Sequence, residues 1–323
     1  MWKRLILVAG LRRGGTTWVG KVLEQAQEAA YLFEPDAPAA HPETPYTGTV
    51  TALRELPRWW LGAEDVERYP ELAEGLRLHT EQLCVRAFGG PVDTLVIKIP
   101  QTERLPFLAR IFEPDVLIYI RRHPFGVLNS YDEHGLYRAW LGREWSLFLG
   151  EHEQALPELE IAPRAARHYV EKVLLLAHAR LVLSERILPV LGGLSLQYED
   201  LCLAPEQQFR ALFGHLGWHW GEEVWSRLRP LVDPAPEEIE TRGLFSTRKP
   251  SADRAFGWRR ELAPHLLRRA SRFTAHHALP YALPGRGMPR RFLREHFHSL
   301  QMYRWRRAAY VREWGWREAV KWF

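Results

Sequence analysis

Close to the start of the chain, glycines, arginines and threonines follow a run of apolar residues. The run Leu5-Ile6-Leu7-Val8-Ala9 leads into Gly10-Leu11-Arg12-Arg13-Gly14-Gly15-Thr16-Thr17-Trp18. Glycines let a backbone turn and approach an anion, and the first amides of a helix point at it with the positive end of the helix dipole. The stretch therefore predicts a strand, a loop and a helix from about Thr16, with a phosphate or sulfate site between them. An ordinary tight turn between strand and helix is the alternative.

The spacing distinguishes this loop from that of ATP-binding proteins. Gly10, Gly15 and Thr17 fall where a Walker A loop has its glycines and its hydroxyl, but Thr16 stands at the lysine position. A kinase or ATPase needs that lysine on the β- and γ-phosphates, and usually a metal ion on the neighbouring hydroxyl. The pattern therefore favours an anionic ligand other than a nucleoside triphosphate.

The segment Arg13-Gly14-Gly15-Thr16-Thr17-Trp18 resembles the Lys/Arg-Ser-Gly-Thr-Thr-Trp loop of sulfotransferases that use 3′-phosphoadenosine 5′-phosphosulfate (PAPS). Gly14 replaces the serine of that motif. The resemblance implies that the loop, together with Arg12, binds the 5′-phosphosulfate. It also implies that Arg13 neutralises charge at the group being transferred, and that the product is 3′-phosphoadenosine 5′-phosphate (PAP).

A second strand, turn and helix are predicted over residues 116–130. Members of the family have Arg-Asp-Pro there, with a serine eight residues after the arginine, and both side chains bind the 3′-phosphate of the donor. Arg122 and Ser130 have this interval, and His123 replaces the aspartate. An arginine offers a phosphate two parallel hydrogen bonds and a serine adds a hydroxyl donor, so the residue types suit that role.

Glu34 follows the short apolar run Ala30-Tyr31-Leu32-Phe33. A carboxylate at a strand end beside a phosphate loop lies where open parallel sheets carry their chemistry. The segment is similar to the Tyr-Leu-x-Glu-Pro run of carbohydrate sulfotransferases, which makes Glu34 the first candidate for the base that deprotonates an acceptor hydroxyl. His41 is the second candidate. A strand-end carboxylate paired with a nearby arginine is the alternative role for Glu34.

Lys98 ends the β-branched run Asp93-Thr94-Leu95-Val96-Ile97 and falls at another strand end. Many sulfotransferases have a lysine here, and the phenol and steroid enzymes have their catalytic histidine two residues later, where this chain has Pro100. The resemblance implies that Lys98 stabilises the leaving phosphate as charge grows on it. A lysine in solvent at a strand end is the alternative.

Two later segments complete the resemblance. Tyr198 begins a Tyr-Glu-Asp-Leu run, whose tyrosine lies against the adenine in the family. Arg248 and Lys249 match a basic loop that closes the donor site before a Gly-Trp helix start, although Pro250 replaces the family's glycine. Solvated surface charge is the alternative role for these two cations.

These signals predict an α/β fold with three layers, a mainly parallel five-stranded sheet and helices on both faces. Strands are expected near residues 4–9, 30–33, 93–98, 115–120 and 193–198. Residues 36–51 are expected to form a loop over the acceptor site, and helices are expected over residues 52–61 and 63–88.

Composition sets broad limits. The 323 residues carry a formal charge of +5, and the calculated pI is about 9.3, which suits an anionic ligand without requiring nucleic acid. Two distant cysteines and the absence of a long apolar run predict a cytoplasmic protein. Residues 1–288 are expected to form the sulfotransferase domain. The tail, residues 289–323, holds nine arginines and lysines against three glutamates among aromatic residues, which is compatible with a membrane surface, a homodimer contact or cover for its own core.

The resemblance extends from Lys3 to Leu262 and predicts direct, metal-free transfer of a sulfuryl group from PAPS to an acceptor hydroxyl. The acceptor is expected to be a carbohydrate or glycoconjugate, with a lipid or small molecule as alternatives. Two other functions remain open at this point, a P-loop kinase acting on a small molecule and a nucleotide-binding module without catalysis.

Overall fold

The computed structural model of the chain describes residues 1–25, 29–135, 141–232 and 251–281. It divides into two compact units, residues 1–262 and residues 263–323. The predicted tail and the predicted cations Arg248 and Lys249 lie outside the described residues. No helix within the described ranges is both long enough and apolar enough to cross a membrane.

The first unit is built on five parallel strands, which confirms the predicted fold class. The strands are β1 (Trp2–Gly10), β2 (Ala29–Phe33), β3 (Val92–Lys98), β4 (Val116–Arg121) and β5 (Leu194–Gln197). Their order across the sheet is β2-β3-β1-β4-β5, and every neighbouring pair is parallel. All five lie within a few residues of the predicted positions.

Helices cover the sheet and connect its strands. The helices of the first unit are α1 (Thr16–Glu24), α2 (Thr47–Glu55), α3 (Asp65–Arg68), α4 (Pro70–Phe88), α5 (Leu105–Phe112), α6 (Pro124–Glu133), α7 (Leu141–Ala155), α8 (Tyr169–Leu191), α9 (Tyr198–Leu203), α10 (Pro205–Leu216), α11 (Glu222–Val232), α12 (Ser251–Phe256) and α13 (Trp258–Glu261). In the second unit, α14 (Pro264–His276) has Leu266, Ala270 and Phe273 buried.

The centre of the sheet is its most buried part. Residues Leu5 to Ala9 of β1 are each at most 1% exposed, because β1 pairs with β3 on one side and with β4 on the other. Trp18 and Val19 of α1 pack with Phe209 of α10 against one face of the sheet. The end of β1, where the glycine-rich loop begins, is therefore attached to the core of the unit.

The predicted loop over residues 36–51 is wrong in its second half, where α2 begins at Thr47. Val50 and Leu53 of α2 are buried, so packing outweighs the weak helix propensity of the threonines there. The helix ends at Glu55 rather than at residue 61, because a residue before proline disfavours helical geometry and Pro57 lies just beyond.

Candidate active site

Every strand of the sheet places a predicted site residue at its carboxyl end. The loop follows β1, Glu34 follows β2, Lys98 ends β3, Arg122 follows β4 and Tyr198 follows β5. Because the strands are parallel, these five positions lie along one edge of the sheet. They line a cleft of about 970 Å³.

The glycine-rich loop turns into α1 without a side-chain cap. Gly14 N–H donates to Leu11 O at 2.7 Å, which closes the turn. Gly15, at the N-cap, has φ +96°, and no side chain of the described residues caps the first amides of α1. Helix N-termini with uncapped amides attract anions through those amides and through the helix dipole.

Position 15 must be a glycine for a steric reason as well, because the Tyr198 ring lies close to it. A Cβ atom at this position would lie 2.3 Å from the ring of Tyr198, far inside van der Waals contact. The loop can therefore lie flat on Tyr198 only because residue 15 has no side chain.

Arg13 joins this loop to α6. Its Nε donates to Ser130 Oγ at 2.8 Å, and its backbone has a left-handed φ of +63°. Arg122 approaches the same loop from β4, with Nη1 donating to Arg13 O at 2.7 Å. Burial, together with the neighbouring Arg122 guanidinium, lowers the pKa of Arg13. Three predicted anion-binding side chains thus meet at one point.

Arg122 and Tyr198 are adjacent because of strand register. Arg121 pairs with Gln197, so the residues that follow them emerge side by side. The Arg122 guanidinium carbon lies 4.4 Å from the centre of the Tyr198 ring, and Trp18 meets the same ring edge to face. Arg122 Nε is buried and has no hydrogen-bond partner among the described residues.

His123, which stands where the family has an aspartate, caps the start of α6. Its Nδ1 accepts a hydrogen bond from Phe125 N–H at 3.1 Å at the start of α6. Its own backbone N–H donates to the buried Glu199 Oε1 at 2.9 Å, and its ring stacks on Trp258. His123 therefore fixes the start of α6, the helix that follows Arg122 and carries Ser130.

Glu34 and Lys98 form an ion pair, again set by register. Phe33 pairs with Lys98 across β2 and β3, and Lys98 Nζ donates to Glu34 Oε1. Lys98 is only 3% exposed and its Nζ lies 4.4 Å from the Phe33 ring centre. Burial lowers the pKa of Lys98 although the Glu34 carboxylate opposes that shift. The alternative of a lysine in solvent is excluded.

His41 supports the backbone around Glu34. Its Nε2 donates to Phe33 O at 2.5 Å and to Glu34 O at 3.2 Å, which fixes the proton on that nitrogen. Glu34 itself has a left-handed φ of +40°. His41 and Glu34 both line the cleft, so the structure brings the two candidate bases together.

Comparison of the whole chain with known protein families assigns it to one of them. The model of the sulfotransferase family matches residues 6–222, about two thirds of the chain. The chain belongs to the sulfotransferase family. No curated protein matches it.

Several solved sulfotransferases are similar to the chain at low sequence identity. The mouse sulfotransferase SULT7A1 complexed with PAP is 11% identical, covers 85% of this chain and 84% of its own, and gives a TM-score of 0.44. The sulfotransferase domain of the Synechococcus PCC 7002 olefin synthase is 15% identical, with 84% and 94% covered and a TM-score of 0.42. Sulfotransferase STF9 from Mycobacterium avium is 14% identical, with 85% and 76% covered and a TM-score of 0.42.

In this sulfotransferase, the sequence reasoning missed a wall of the cleft formed by α12 and α13. Arg254 lies 5.2 Å from the Trp18 ring centre, and Glu261 Oε2 accepts from Asn129 Nδ2 at 2.6 Å. Trp258 also lines the cleft. The Gly257-Trp258 pair was the available signal, although sequence alone did not indicate that this segment returns to α1 and α6.

A face of α2 forms a further part of the cleft. Thr47, Thr51, Arg54 and Glu55 recur at helical spacing and all line it. The sequence analysis placed cover for the acceptor in this region but predicted a loop at the position of the first turns. The sulfotransferase therefore has a helical, polar wall where part of a loop was expected.

Arg12 differs from the other predicted donor-binding residues. Its side chain borders the cleft, but its Nε lies 3.6 Å from Glu144 Oε1 of α7. Burial would lower its pKa, yet the Glu144 and Glu103 carboxylates hold the pKa above its usual range. The adjacent arginines thus extend in different directions, with Arg13 pointing to Ser130 and Arg12 to a buried carboxylate.

Proposed function

We propose that this sulfotransferase moves a sulfuryl group from PAPS to an acceptor hydroxyl. The observation that carries the proposal is the hydrogen bond from Arg13 Nε to Ser130 Oγ at 2.8 Å. It joins the glycine-rich loop, suited to one anionic group, to the Arg122 and Ser130 pair, suited to another. A donor with a 5′-phosphosulfate and a 3′-phosphate has two such groups on one nucleoside.

The described residues fit this donor. The uncapped α1 amides, the loop from Gly14 to Trp18 and Arg13 would hold the phosphosulfate. Arg122, with its unpartnered buried Nε, and Ser130 would hold the 3′-phosphate, and Tyr198 would lie against the adenine. The cleft volume of about 970 Å³ is in the range of nucleotide-sized pockets.

The donor would supply an activated sulfuryl group that needs only a nucleophile in line. The acceptor oxygen forms a bond to sulfur while the bond from sulfur to the phosphate oxygen breaks. Glu34 would take the proton of the acceptor hydroxyl while its oxygen attacks sulfur, because loss of the proton makes that oxygen a better nucleophile. Lys98 and Arg13 offset the negative charge that grows on the departing phosphate, and both act in a partly buried site where such charges interact strongly.

For the acceptor we propose a carbohydrate or glycoconjugate. The support is the polar lining on the Glu34 side of the cleft, where Thr47, Thr51, Arg54 and His41 outnumber large apolar side chains. Hydroxyl-rich acceptors offer such groups hydrogen bonds, whereas a phenol or steroid requires an apolar slot. A lipid or a small alcohol remains as an outcome of the test.

Calorimetry tests donor binding first. PAP should bind, Arg122→Ala should weaken it by about tenfold or more, and adenosine 5′-phosphate should bind weakly to both proteins. The matched control is Arg121→Ala, since Arg121 pairs with Glu185 near the surface and does not line the cleft. Indifference to the 3′-phosphate would contradict the assignment, and preference for ATP with Mg²⁺ would favour a kinase.

Transfer is tested with sulfur-labelled PAPS and panels of saccharide, lipid and small alcohol acceptors, followed by mass spectrometry of the product. Labelled saccharide is the expected product. Glu34→Gln should lower kcat by about 10²- to 10⁴-fold with little effect on PAP affinity. PAP binding without transfer, and no effect of Glu34→Gln, would indicate a binding module instead.

A further inference from the structure

Four charged side chains, two buried and two half-buried, meet beneath the glycine-rich loop. They are Arg12, Glu103, Glu144 of α7 and Arg180 of α8, and we call them the buried charge cluster. Arg180 Nε donates to Glu103 Oε2 at 2.8 Å and its Nη2 to Glu103 Oε1 at 2.9 Å. Arg180 also pairs with Glu144 Oε1, the oxygen that lies 3.6 Å from Arg12 Nε.

Three of the four side chains are largely shielded from solvent. The Arg180, Glu103 and Glu144 side chains are 3%, 6% and 12% exposed, and that of Arg12 is 25% exposed. Two carboxylates balance two guanidinium groups, so the set is neutral. Removing one member of such a set leaves a buried charge without compensation, which is the costly event for groups of this kind.

Arg12 is the member of the cluster that belongs to the glycine-rich loop, so it connects the cluster to the loop. It stands inside the turn closed by Gly14 N–H and Leu11 O, immediately before Arg13 with its left-handed φ of +63°. Arg12 Nε makes no hydrogen bond among the described residues, and its ion pair with Glu144 Oε1 at 3.6 Å draws the side chain beneath the turn while Arg13 reaches Ser130. The charges beneath the loop therefore help to set the backbone position from which the Arg13 side chain reaches Ser130.

The helix that carries Glu144 offers an internal comparison. Glu151 lies seven residues later on α7, two helical turns away and on the same face. Its Oε2 accepts from Trp59 N–H and Trp60 N–H, each at 2.8 Å, and Oε1 pairs with Arg58. Glu151 is thus a comparably engaged carboxylate on the same helix, with no contact to the loop among the described residues.

We propose that Glu144 is a positioning residue for the glycine-rich loop, acting through Arg12 to hold the loop in the geometry that binds the donor. This rests on the proposed function of the loop. Arg12 then contributes to donor binding through its anchoring and not through a direct contact with phosphate.

The experiment measures PAP affinity by calorimetry in the full chain and in Glu144→Gln, Glu151→Gln, Arg12→Met and the Arg12→Met/Glu144→Gln double variant. Glu144→Gln and Arg12→Met should each lower PAP affinity by about tenfold. The double variant should bind PAP no less tightly than the single variant with the lower affinity. Glu151→Gln should bind PAP as the unmodified chain does. Thermal unfolding of each variant identifies any that fail to fold.

The outcomes separate this proposal from the one on which it rests. No PAP binding by the unmodified chain would contradict the proposed function. PAP binding that Glu144→Gln or Arg12→Met leaves unchanged would overturn the positioning role, as would equal losses in Glu144→Gln and Glu151→Gln. Losses that multiply in the double variant would show a direct contact of Arg12 with the donor and would also overturn it. If Glu144→Gln does not fold, unchanged PAP affinity in Arg12→Met would by itself overturn the positioning role.

Discussion

Arg13 and Ser130 lie 117 positions apart in the chain, and Arg13 Nε donates to Ser130 Oγ at 2.8 Å. The loop after β1 and the helix after β4 are thereby joined at the residues that resemble the two halves of a donor site. Neither half alone is specific, since phosphate loops and arginine-serine pairs occur in many proteins. Their direct contact makes a single ligand with two anionic groups the simplest occupant.

Ser130→Ala should weaken PAP binding by about 10- to 100-fold, because a hydrogen bond involving a charged group contributes about 1.5–3 kcal/mol. Adenosine 5′-phosphate should bind both proteins alike, since it lacks the 3′-phosphate. Calorimetry with the two nucleotides measures this difference. Ser146→Ala on α7 is the control, because Ser146 Oγ is exposed and donates only to Gly142 O. An equal loss for both nucleotides would place Ser130 elsewhere in the site.

Gly15→Ala should abolish measurable PAP binding and destabilise the fold. A Cβ atom would lie 2.3 Å from the Tyr198 ring, and φ +96° is strained for any residue with a side chain. We expect a loss of about 1–3 kcal/mol in the free energy of unfolding, measured by urea denaturation. Gly150→Ala on α7 has open space around its Cβ and should be neutral or slightly stabilising. Full PAP affinity in Gly15→Ala would show that the loop tolerates displacement from Tyr198.

His41→Ala should lower kcat by about tenfold, much less than Glu34→Gln. The reason is that His41 Nε2 donates to the carbonyl groups of Phe33 and Glu34 and so orients the carboxylate without taking the substrate proton. Steady-state kinetics with labelled PAPS compares the two variants, and His41→Asn, which can still donate, should recover part of the loss. A larger effect of His41→Ala than of Glu34→Gln would make His41 the base.

His79 should make stability depend on pH between about 4 and 6.5. It is fully buried, with Nδ1 at 2.6 Å from Thr44 Oγ1, and burial lowers its pKa from 6.5 to about 4. The unfolded chain binds the proton more readily in this window, so the contribution is complete above pH 6.5 and is lost as pH falls towards 4. The free energy of unfolding of His79→Leu should therefore fall less steeply in acid.

Urea denaturation at a series of pH values measures that difference. His215→Leu, at an exposed position of α10, is the control and should follow the unmodified chain. His178, whose pKa burial also lowers to about 4, should leave a residual slope in His79→Leu. Identical slopes in His79→Leu and the unmodified chain would contradict the prediction.

The residues at the strand ends could be predicted from the sequence, but the contacts that these residues make with one another could not. Apolar runs that stop at Glu34, Lys98, Arg122 and Tyr198 indicate which residues reach the edge of a parallel sheet. Which of them touch depends on sheet order and register, which involve contacts between distant segments. Glu34 meets Lys98, and not the arginine that sequence reasoning offered as its partner, because β2 pairs with β3.

The buried charge cluster left no signal that sequence reasoning could use. Glu144 and Arg180 lie on the helices α7 and α8, and Glu103 lies in a short 3-10 turn before α5. A charged residue in such a segment is usually assigned to the solvent side. Only the packing of α7 and α8 under the loop shows that these charges are enclosed and compensated. The role of Arg12 was for the same reason not separable from that of Arg13.

The two sides of the cleft are attached to parts of the fold that differ in their resistance to opening. The glycine-rich loop extends from β1, whose central residues are fully buried and hydrogen-bonded on both edges, so its supporting amides should exchange with deuterium only on global unfolding. The α2 wall lies in the segment that connects β2 and β3, outside the sheet. Under the proposed function, substitutions on α2 should therefore change which acceptor is admitted with little effect on donor binding, which would let acceptor preference diverge while the donor stays the same.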